Sequence, residues 1–309
     1  MRENDEERDT CIFTTRSRIR ERHYRGLGQQ LPEGPLMQTA DRDSLVLMEQ
    51  LGAVRLLTIN RADKMNAFTP ALMHELDHML DDAARDSATR VVMITGAGQK
   101  AFVAGNDIGG LIEMNGVEAY RDMQSGQRVL FRLYEFAKPT IAMVNGYALG
   151  GGFELALACD FIVASDTARF GFPEITLNTI PGWGGTQLAV RKMGLGRAKE
   201  MVLTGRHYTT AECREFGFIH VFASAPELKS AALAFAEQLA THDSFAMEMA
   251  KRSVNRAAEI PLNAGLDLEA ANYAVNFGTT AARTGLRAFA ARRKPKKALT
   301  DNSPSEKSK

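Results

Sequence analysis

Two glutamates, Glu154 and Glu174, stand twenty residues apart in the sequence, and each lies beside a glycine-rich turn. The glycines at 150–152 precede the first glutamate, and Gly171 precedes the second. Two carboxyl groups brought into one cavity can hold a water molecule, take its proton and deliver a proton elsewhere. Neighbouring glycines let backbone N–H groups approach a substrate oxygen closely. Together these features suggest chemistry on a carbonyl compound.

Both glutamates also have a structural interpretation. Glu154 could complement the dipole of a helix that begins at the glycines. Its neighbours are apolar nearly all round, however, which predicts a buried helix in which a lone carboxylate is costly. Glu174 could be a loop carboxylate paired with an arginine. The residues alone leave the functional and the structural interpretation evenly balanced for both.

Two further turns could contribute to a site. The turn at 101–110 contains Asn106 and Asp107 and could direct N–H groups into a cavity, although a simple turn is the more frequent outcome. The glycine-dense bend at 181–185 contains the only tryptophan, Trp183. Trp183 could form the wall of a ligand pocket, but a lone tryptophan more often packs in a core.

The composition predicts an ordinary globular protein. The chain has 309 residues, 45% hydrophobic and 24% charged, with a net charge of +1. This charge gives no global field for nucleic acid, and no apolar run is long enough to span a membrane. Three scattered cysteines predict neither a disulfide framework nor a metal site. We therefore expect a reducing compartment, the cytoplasm, or the mitochondrial matrix if the source is eukaryotic.

The two ends of the chain differ from its centre. Residues 1–43 combine interleaved arginines with acidic residues and a stretch rich in glycine and proline, which predicts a disordered or loosely packed extension. The acidic residues argue against a mitochondrial presequence. The polar residues 296–309 are predicted to form a flexible tail.

Between these ends, strands alternate with helices. Apolar, β-branched runs predict strands at 54–59, 91–95, 140–144 and 160–164. Thr69 and Pro70 predict a helix start, and residues 111–136 and 150–159 are predicted to be helical. From residue 198 onward the predicted segments are helices at 198–203, 210–216, 227–241, 245–258, 262–277 and 281–293. This order predicts an α/β layer architecture followed by a helical C-terminal region.

Five segments, in this order, resemble the crotonase (enoyl-CoA hydratase/isomerase) superfamily. Residues 60–67 resemble its Asn-Arg-Pro-x-x-x-Asn-Ala motif, and residues 102–108 its Phe-x-x-Gly-x-Asp-Ile loop. Residues 145–152 with Glu154, residues 170–174, and residues 181–186 also match. The likeness covers roughly residues 44–293.

The resemblance implies a fold and an assembly. The fold would be a spiral of ββα units with two roughly perpendicular sheets. We expect an α/β core at 44–235 and a helical C-terminal subdomain at 236–295 that packs between subunits. A homotrimer, or a hexamer made of two trimers, is implied.

The resemblance also implies a ligand, an acyl thioester of coenzyme A, and no separate cofactor or metal. The backbone N–H groups of Asn106 and Gly151 would form an oxyanion hole for the thioester oxygen. Further positions implied to bind the substrate or its CoA part are Lys64, Ala67, Ala104, Asp107, Ile108, Gly150 and Trp183.

Within such a family the side chains select the reaction. Having both Glu154 and Glu174 favours reversible hydration of a 2-enoyl-CoA, with Glu154 accepting the water proton and Glu174 delivering a proton to C2. The alternatives are a Δ3-Δ2 enoyl-CoA isomerase that uses Glu174, another CoA-ester lyase, and a non-catalytic member that binds a CoA ester or RNA.

The sequence departs from the family pattern at several positions. Phe172 and Trp183 are bulkier than the residues often found there and could favour short or ring-bearing acyl groups. Gly109 and Gly110 replace a more polar sequence. An acidic cluster near the C-terminus is missing, which puts the subunit salt bridges in doubt.

Overall fold

The structure of the chain is a computed structural model, and it describes residues 44–292. These residues belong to a single compact unit. The strands are β1 Val46–Leu51, β2 Val54–Ile59, β3 Val91–Gly96, β4 Ala101–Ala104, β5 Thr140–Val144, β6 Tyr147–Leu149, β7 Phe161–Ser165, β8 Arg169–Gly171, β9 Tyr208–Thr209 and β10 Val221–Ala223. The helices are α1 Pro70–Arg85, α2 Gly116–Tyr134, α3 Gly151–Ala158, α4 Gly185–Thr204, α5 Thr210–Glu215, α6 Leu228–Ala240, α7 Ser244–Arg256, α8 Leu262–Phe277 and α9 Thr280–Arg292.

The strands form two sheets. The larger sheet has the order β1-β2-β3-β5-β7-β10, and its neighbouring strands are parallel except for β1 and β2. The smaller sheet has the order β4-β6-β8-β9, with β8 and β9 antiparallel. Consecutive strand pairs, β3 with β4, β5 with β6, and β7 with β8, contribute one strand to each sheet before a helix follows. This topology confirms the predicted spiral of ββα units.

The larger sheet is covered on both faces, which explains the apolar runs in its strands. Every residue of β3 and β5 is buried. Successive residues of β2 point to opposite faces, so that Leu57 joins the apolar cluster that contains α1 and α3. Leu56 joins a second cluster with Leu228, Ala232 and Ala236 of α6.

Helix α3 lies in the centre of the molecule, and all eight of its residues are buried. It begins after Gly150, whose φ of 51° is unfavourable for a residue with a side chain. A methyl group at Gly152 would overlap the backbone of Val103 in β4. The glycine run therefore lets the start of α3 contact the smaller sheet directly.

The predicted strands and most predicted helices are present, with shifted boundaries. The helix predicted at 111–136 begins only at Gly116, because Asn115 and Glu118 form a capping box there. The helix predicted at 198–203 is the end of α4, which begins thirteen residues earlier at Gly185. The glycine at 194 breaks its periodicity with a φ of 79°.

The C-terminal part is helical, as the sequence predicts. The predicted boundary at 235/236 falls inside α6. Residues on both sides of it, Leu228 and Ala236, pack on the larger sheet. The division into a core and a C-terminal subdomain therefore stays a prediction. The predicted extension at 1–43 and the tail at 296–309 lie outside the described residues.

Candidate active site

Three chain segments meet at the N-terminus of α3. They are the loop after β4, which contains Asn106, the turn at Gly150 and Gly151, and the bend that contains Trp183. A methyl group at Gly151 would lie 2.6 Å from Oδ1 of Asn106 and 3.4 Å from Cε3 of Trp183. The three turns identified in the sequence thus lie next to one another in the fold. They can approach this closely only because residue 151 is a glycine without a side chain.

The backbone N–H groups of Asn106 and Gly151 are both available at this place. Phe68 donates to the carbonyl of Gly105 at 2.9 Å, and Asp107 donates to the carbonyl of Phe68 at 2.9 Å. Because N–H groups alternate in direction along extended chain, the N–H of Asn106 points away from Phe68. The N–H of Gly151 belongs to the first turn of α3 and has no partner within the helix.

Glu154 lies in the first turn of α3 and is almost completely buried, with 2% of its surface exposed. Its Oε1 accepts hydrogen bonds from the N–H of Trp183 at 2.8 Å and from the N–H of Gly185 at 2.7 Å. A methyl group at Gly185 would lie 2.9 Å from that same oxygen. The glycine-dense bend is therefore the segment that fixes the Glu154 carboxyl group.

Glu174 approaches the same turn from the short 3-10 helix Pro173–Leu177. A methyl group at Gly150 would lie 2.8 Å from its Oε1. Its Oε2 is buried without a hydrogen-bond partner among the described residues, which also provide no ion pair for this carboxyl. Residues 44–292 thus offer no support for the arginine-paired interpretation of Glu174.

The two carboxyl groups are protonated more readily than ordinary glutamates. Burial raises the pKa of Glu154 to about 7, and the charge of Glu174 adds to this, while the hydrogen bonds from Gly185 and Trp183 oppose it. Burial raises the pKa of Glu174 to about 6. Because the two groups influence each other, these pKa values belong to the pair. The pair can hold one proton near neutral pH, which suits acid–base chemistry.

A cavity of about 460 Å³ lies next to this place, between α1, α2 and the loop after β4. Its walls include Phe68, Met73, Asn106, Val129 and Trp183. Neither glutamate lines it. Trp183 is both a cavity wall and a packed side chain, with 6% of its surface exposed and its ring centroid 5.2 Å from that of Phe68.

Of the other predicted ligand positions, which lie near the loop after β4, Lys64, Asp107 and Ile108 are exposed, and Ala67 and Ala104 are half-buried. Lys64 is exposed at the end of the 3-10 helix Ala62–Lys64, and Ile108 is 53% exposed. The N–H of Ala104 donates to the carbonyl of Met65 at 3.1 Å. No described contact joins these residues to the two glutamates.

Arg61, for which the sequence predicts no role beyond its motif, links two of these segments. Its guanidinium donates to the carbonyl of Ala67 and forms an ion pair with Asp107 at 3.2 Å. Asn66 from the same motif is fully buried and donates to the carbonyls of Ala97 and Ala101. The first motif therefore holds the loop that leads to Asn106.

Within residues 44–292 no group of three or more His, Cys, Asp or Glu side chains could hold a metal ion. None of the described helices is long and apolar enough to cross a membrane.

Comparison with known proteins finds relatives that match most of the chain. The profile of the family "Enoyl-CoA hydratase/isomerase" matches residues 49–298. A short-chain-enoyl-CoA hydratase of Clostridium acetobutylicum is 36% identical over 249 residues, which cover 81% of this chain and 95% of that protein. A probable enoyl-CoA hydratase of Rhizobium meliloti is 40% identical over 250 residues, covering 81% and 96%.

Solved structures give the same result. The crystal structure of an enoyl-CoA hydratase from Bacillus anthracis superposes with a TM-score of 0.77 at 35% identity, covering 82% of this chain and 98% of the other. The family profile covers most of the chain, and the chain belongs to the enoyl-CoA hydratase/isomerase family, the crotonase superfamily.

Proposed function

We propose that the protein catalyses the reversible hydration of a 2-enoyl-CoA thioester to a 3-hydroxyacyl-CoA. The observation that carries this proposal is the buried carboxyl group of Glu154 together with the half-buried Glu174, both at the glycine turn that begins α3. Hydration needs a group that takes a proton from water and a group that gives one to carbon. A pair with raised pKa values can do both near neutral pH.

The backbone N–H groups of Asn106 and Gly151 would bind the thioester oxygen. Neither N–H group has a protein acceptor among the described residues, and a methyl group at Gly151 would contact the Asn106 side chain. Donors fixed in this way stabilise the negative charge that develops on the oxygen when water adds. Each such donor is typically worth about 10²–10³ in rate.

The proton transfers follow from this arrangement. Ionised Glu154 takes a proton from water while the water oxygen bonds to C3, and the electron pair of the C2–C3 double bond moves toward the thioester. Protonated Glu174 then gives its proton to C2, and the carbonyl is restored. Exchange of protons with solvent returns the pair to its starting state. No metal or separate cofactor takes part in this scheme.

The remaining substrate contacts belong to the same proposal. The CoA nucleotide would contact Lys64 and the backbone near Ala67, while Asp107 and Ile108 would line the channel. Ala104, Gly150 and Trp183 would contact the thioester and the acyl group. The exposed position of Lys64 and Ile108 suits a ligand that enters from the surface.

We also assign subunit contacts of a homotrimer, or of a hexamer of two trimers, to α8 and α9. Cys159 and Cys213 are buried free thiols, which supports a reducing compartment, the cytoplasm or the mitochondrial matrix.

Glu154→Gln and Glu174→Gln test the proposal. The absorbance of the conjugated thioester should fall when the wild type hydrates crotonyl-CoA. Each variant should lower kcat by about 10²–10⁴-fold with little change in KM, because the amide keeps the shape but cannot exchange the proton. Glu237→Gln, at an exposed position of α6, serves as the control and should keep wild-type turnover.

Three results would contradict the proposal. Near-normal hydration by both active-site variants would exclude the carboxyl pair as the acid–base groups. A gain of absorbance from a 3-enoyl-CoA, without hydration of crotonyl-CoA, would indicate an isomerase. Salt-dependent RNA affinity without turnover would indicate a non-catalytic member.

A further inference from the structure

Trp183 contacts Glu154 and also lines the cavity beside α1 and α2. Its backbone N–H holds Glu154, and its indole ring lines the cavity that neither glutamate reaches. On the site side, Cε3 of the indole is 3.4 Å from the position of a methyl group at Gly151. The ring therefore forms part of the wall between the start of α3 and the cavity.

Two side chains, Asn106 and Phe68, adjoin the indole in this wall. Asn106 stands beside Trp183 in the cavity lining, and both Oδ1 of Asn106 and Nε1 of Trp183 are buried without a hydrogen-bond partner in the described residues. Phe68 packs against the indole at a tilt of 49°. An alkyl chain that extends from the thioester toward α2 would meet these side chains.

The position of the indole depends on Gly126 in α2. A methyl group at Gly126 would overlap three atoms of the ring, Cδ2, Cε2 and Nε1. An indole ring is rigid, so it could avoid this overlap only by leaving its place. A glycine inside a helix costs about 1 kcal/mol relative to alanine, and here it makes room for Trp183.

We propose that Trp183, whose indole packs against Gly126, is a specificity-determining residue. It closes the acyl end of the site and so restricts the substrate to 2-enoyl-CoA esters with short acyl chains. This inference rests on the proposed hydratase activity. The cavity between α1 and α2 is the space that a longer chain would occupy if the indole were absent.

The experiment measures kcat/KM for 2-enoyl-CoA esters of four, six, eight and twelve carbons. The wild type should prefer the four-carbon ester to the twelve-carbon ester by at least tenfold. Trp183→Ala should reduce this ratio at least tenfold, and Trp183→Phe should give an intermediate ratio. Because the readout is a ratio between substrates, a general loss of activity does not produce it. Phe131→Ala, on the exposed outer face of α2, is the control and should leave the ratio unchanged.

Gly126 provides an independent test. Gly126→Ala alone should alter the chain-length ratio and lower the unfolding temperature, because the added methyl group displaces the indole. In the Trp183→Ala background the same substitution should have little effect on either quantity. This non-additivity is the expected sign of direct contact.

The outcomes separate this inference from the proposed function. Equal wild-type efficiency from four to twelve carbons would overturn the inference and leave the hydratase proposal standing. A short-chain preference that both Trp183 variants retain would overturn it as well, because the wall would then lie elsewhere. Absence of hydration with every ester would overturn the proposed function itself. If Trp183→Ala does not fold, the wild-type profile and Trp183→Phe still decide.

Discussion

The Glu154 carboxyl group is subject to opposing influences. Two backbone hydrogen bonds to Oε1 favour its ionised form, whereas burial and the neighbouring Glu174 favour its neutral form. Burial is the larger effect, so the pKa rises to about 7. The chain thus holds the carboxyl group in a fixed position without forcing it to stay ionised, and a group that exchanges a proton needs both properties.

This raised pKa should make the protein less stable as pH increases. Glu154 titrates at about 7 in the folded state and at about 4.5 in the unfolded state, so between these values the folded state binds more protons. The free energy of unfolding must then fall as pH rises from 4.5 to 7 and level off above. Glu154→Gln removes this contribution, up to roughly 3 kcal/mol.

Urea unfolding at pH 5 and pH 8 tests this expectation. The wild type should lose more stability between the two values than Glu154→Gln does. Glu237→Gln, which changes an exposed carboxyl group on α6, should follow the wild type. Parallel curves for the wild type and Glu154→Gln would show that burial does not raise this pKa.

At the scale of elements, the start of α4 determines the geometry of the site. Gly184 has a φ of 112° and turns the chain, and Gly185 then directs its N–H to Glu154. A methyl group at Gly185 would lie 2.6 Å from the ring of Phe172 and 2.9 Å from Cγ of Glu154. Helix α4 can therefore begin here only because residue 185 has no side chain.

Gly185→Ala should consequently lower kcat, on the order of 10²-fold, because the added methyl group displaces the Glu154 carboxyl. Gly196→Ala is the matched control in the same helix, since a methyl group there has open space. The control should keep full activity and gain stability. Crotonyl-CoA turnover and thermal unfolding measure both effects, and equal turnover in the two variants would contradict this account.

The sequence predicts the interior strands of the larger sheet well, because parallel strands buried on both faces have apolar runs. β2, β3, β5 and β7 are of this kind. The short strands of the smaller sheet, such as β6 and β8, have three residues each and escape prediction. These strands pair because the spiral of ββα units brings them together, and the local periodicity of the sequence carries no information about that topology.

In the candidate site, too, contacts between distant parts of the chain could not be predicted from the sequence. The resemblance to the family pattern singled out the three turns and both glutamates, whereas the residue types alone left their roles open. The hydrogen bonds from residues 183 and 185 to Glu154, and the contact of Gly126 with Trp183, join distant parts of the chain. Only the folded structure reveals them, because neither partner carries a local signal for the other.

At the scale of the whole molecule, α8 and α9 leave much apolar surface uncovered. Asn272 is the only buried residue described in α8, and none is buried in α9. The large apolar residues exposed on α8 are Leu262, Leu266, Tyr273, Val275 and Phe277. Neighbouring exposed apolar groups of this kind mark a protein interface. Here they support the proposed trimer.

Charges on this surface should therefore disrupt assembly. Leu266 and Tyr273 are 55% and 66% exposed, and glutamates there cost little in the isolated chain but would be buried without partners in a trimer. In light scattering after size-exclusion chromatography, the wild type should have at least three times the mass of one chain. The Leu266→Glu/Tyr273→Glu variant should approach the mass of one chain, and Leu203→Glu, 65% exposed on α4, should remain assembled. A monomeric wild type, or an intact trimer of the double variant, would show that α8 does not hold the subunits together.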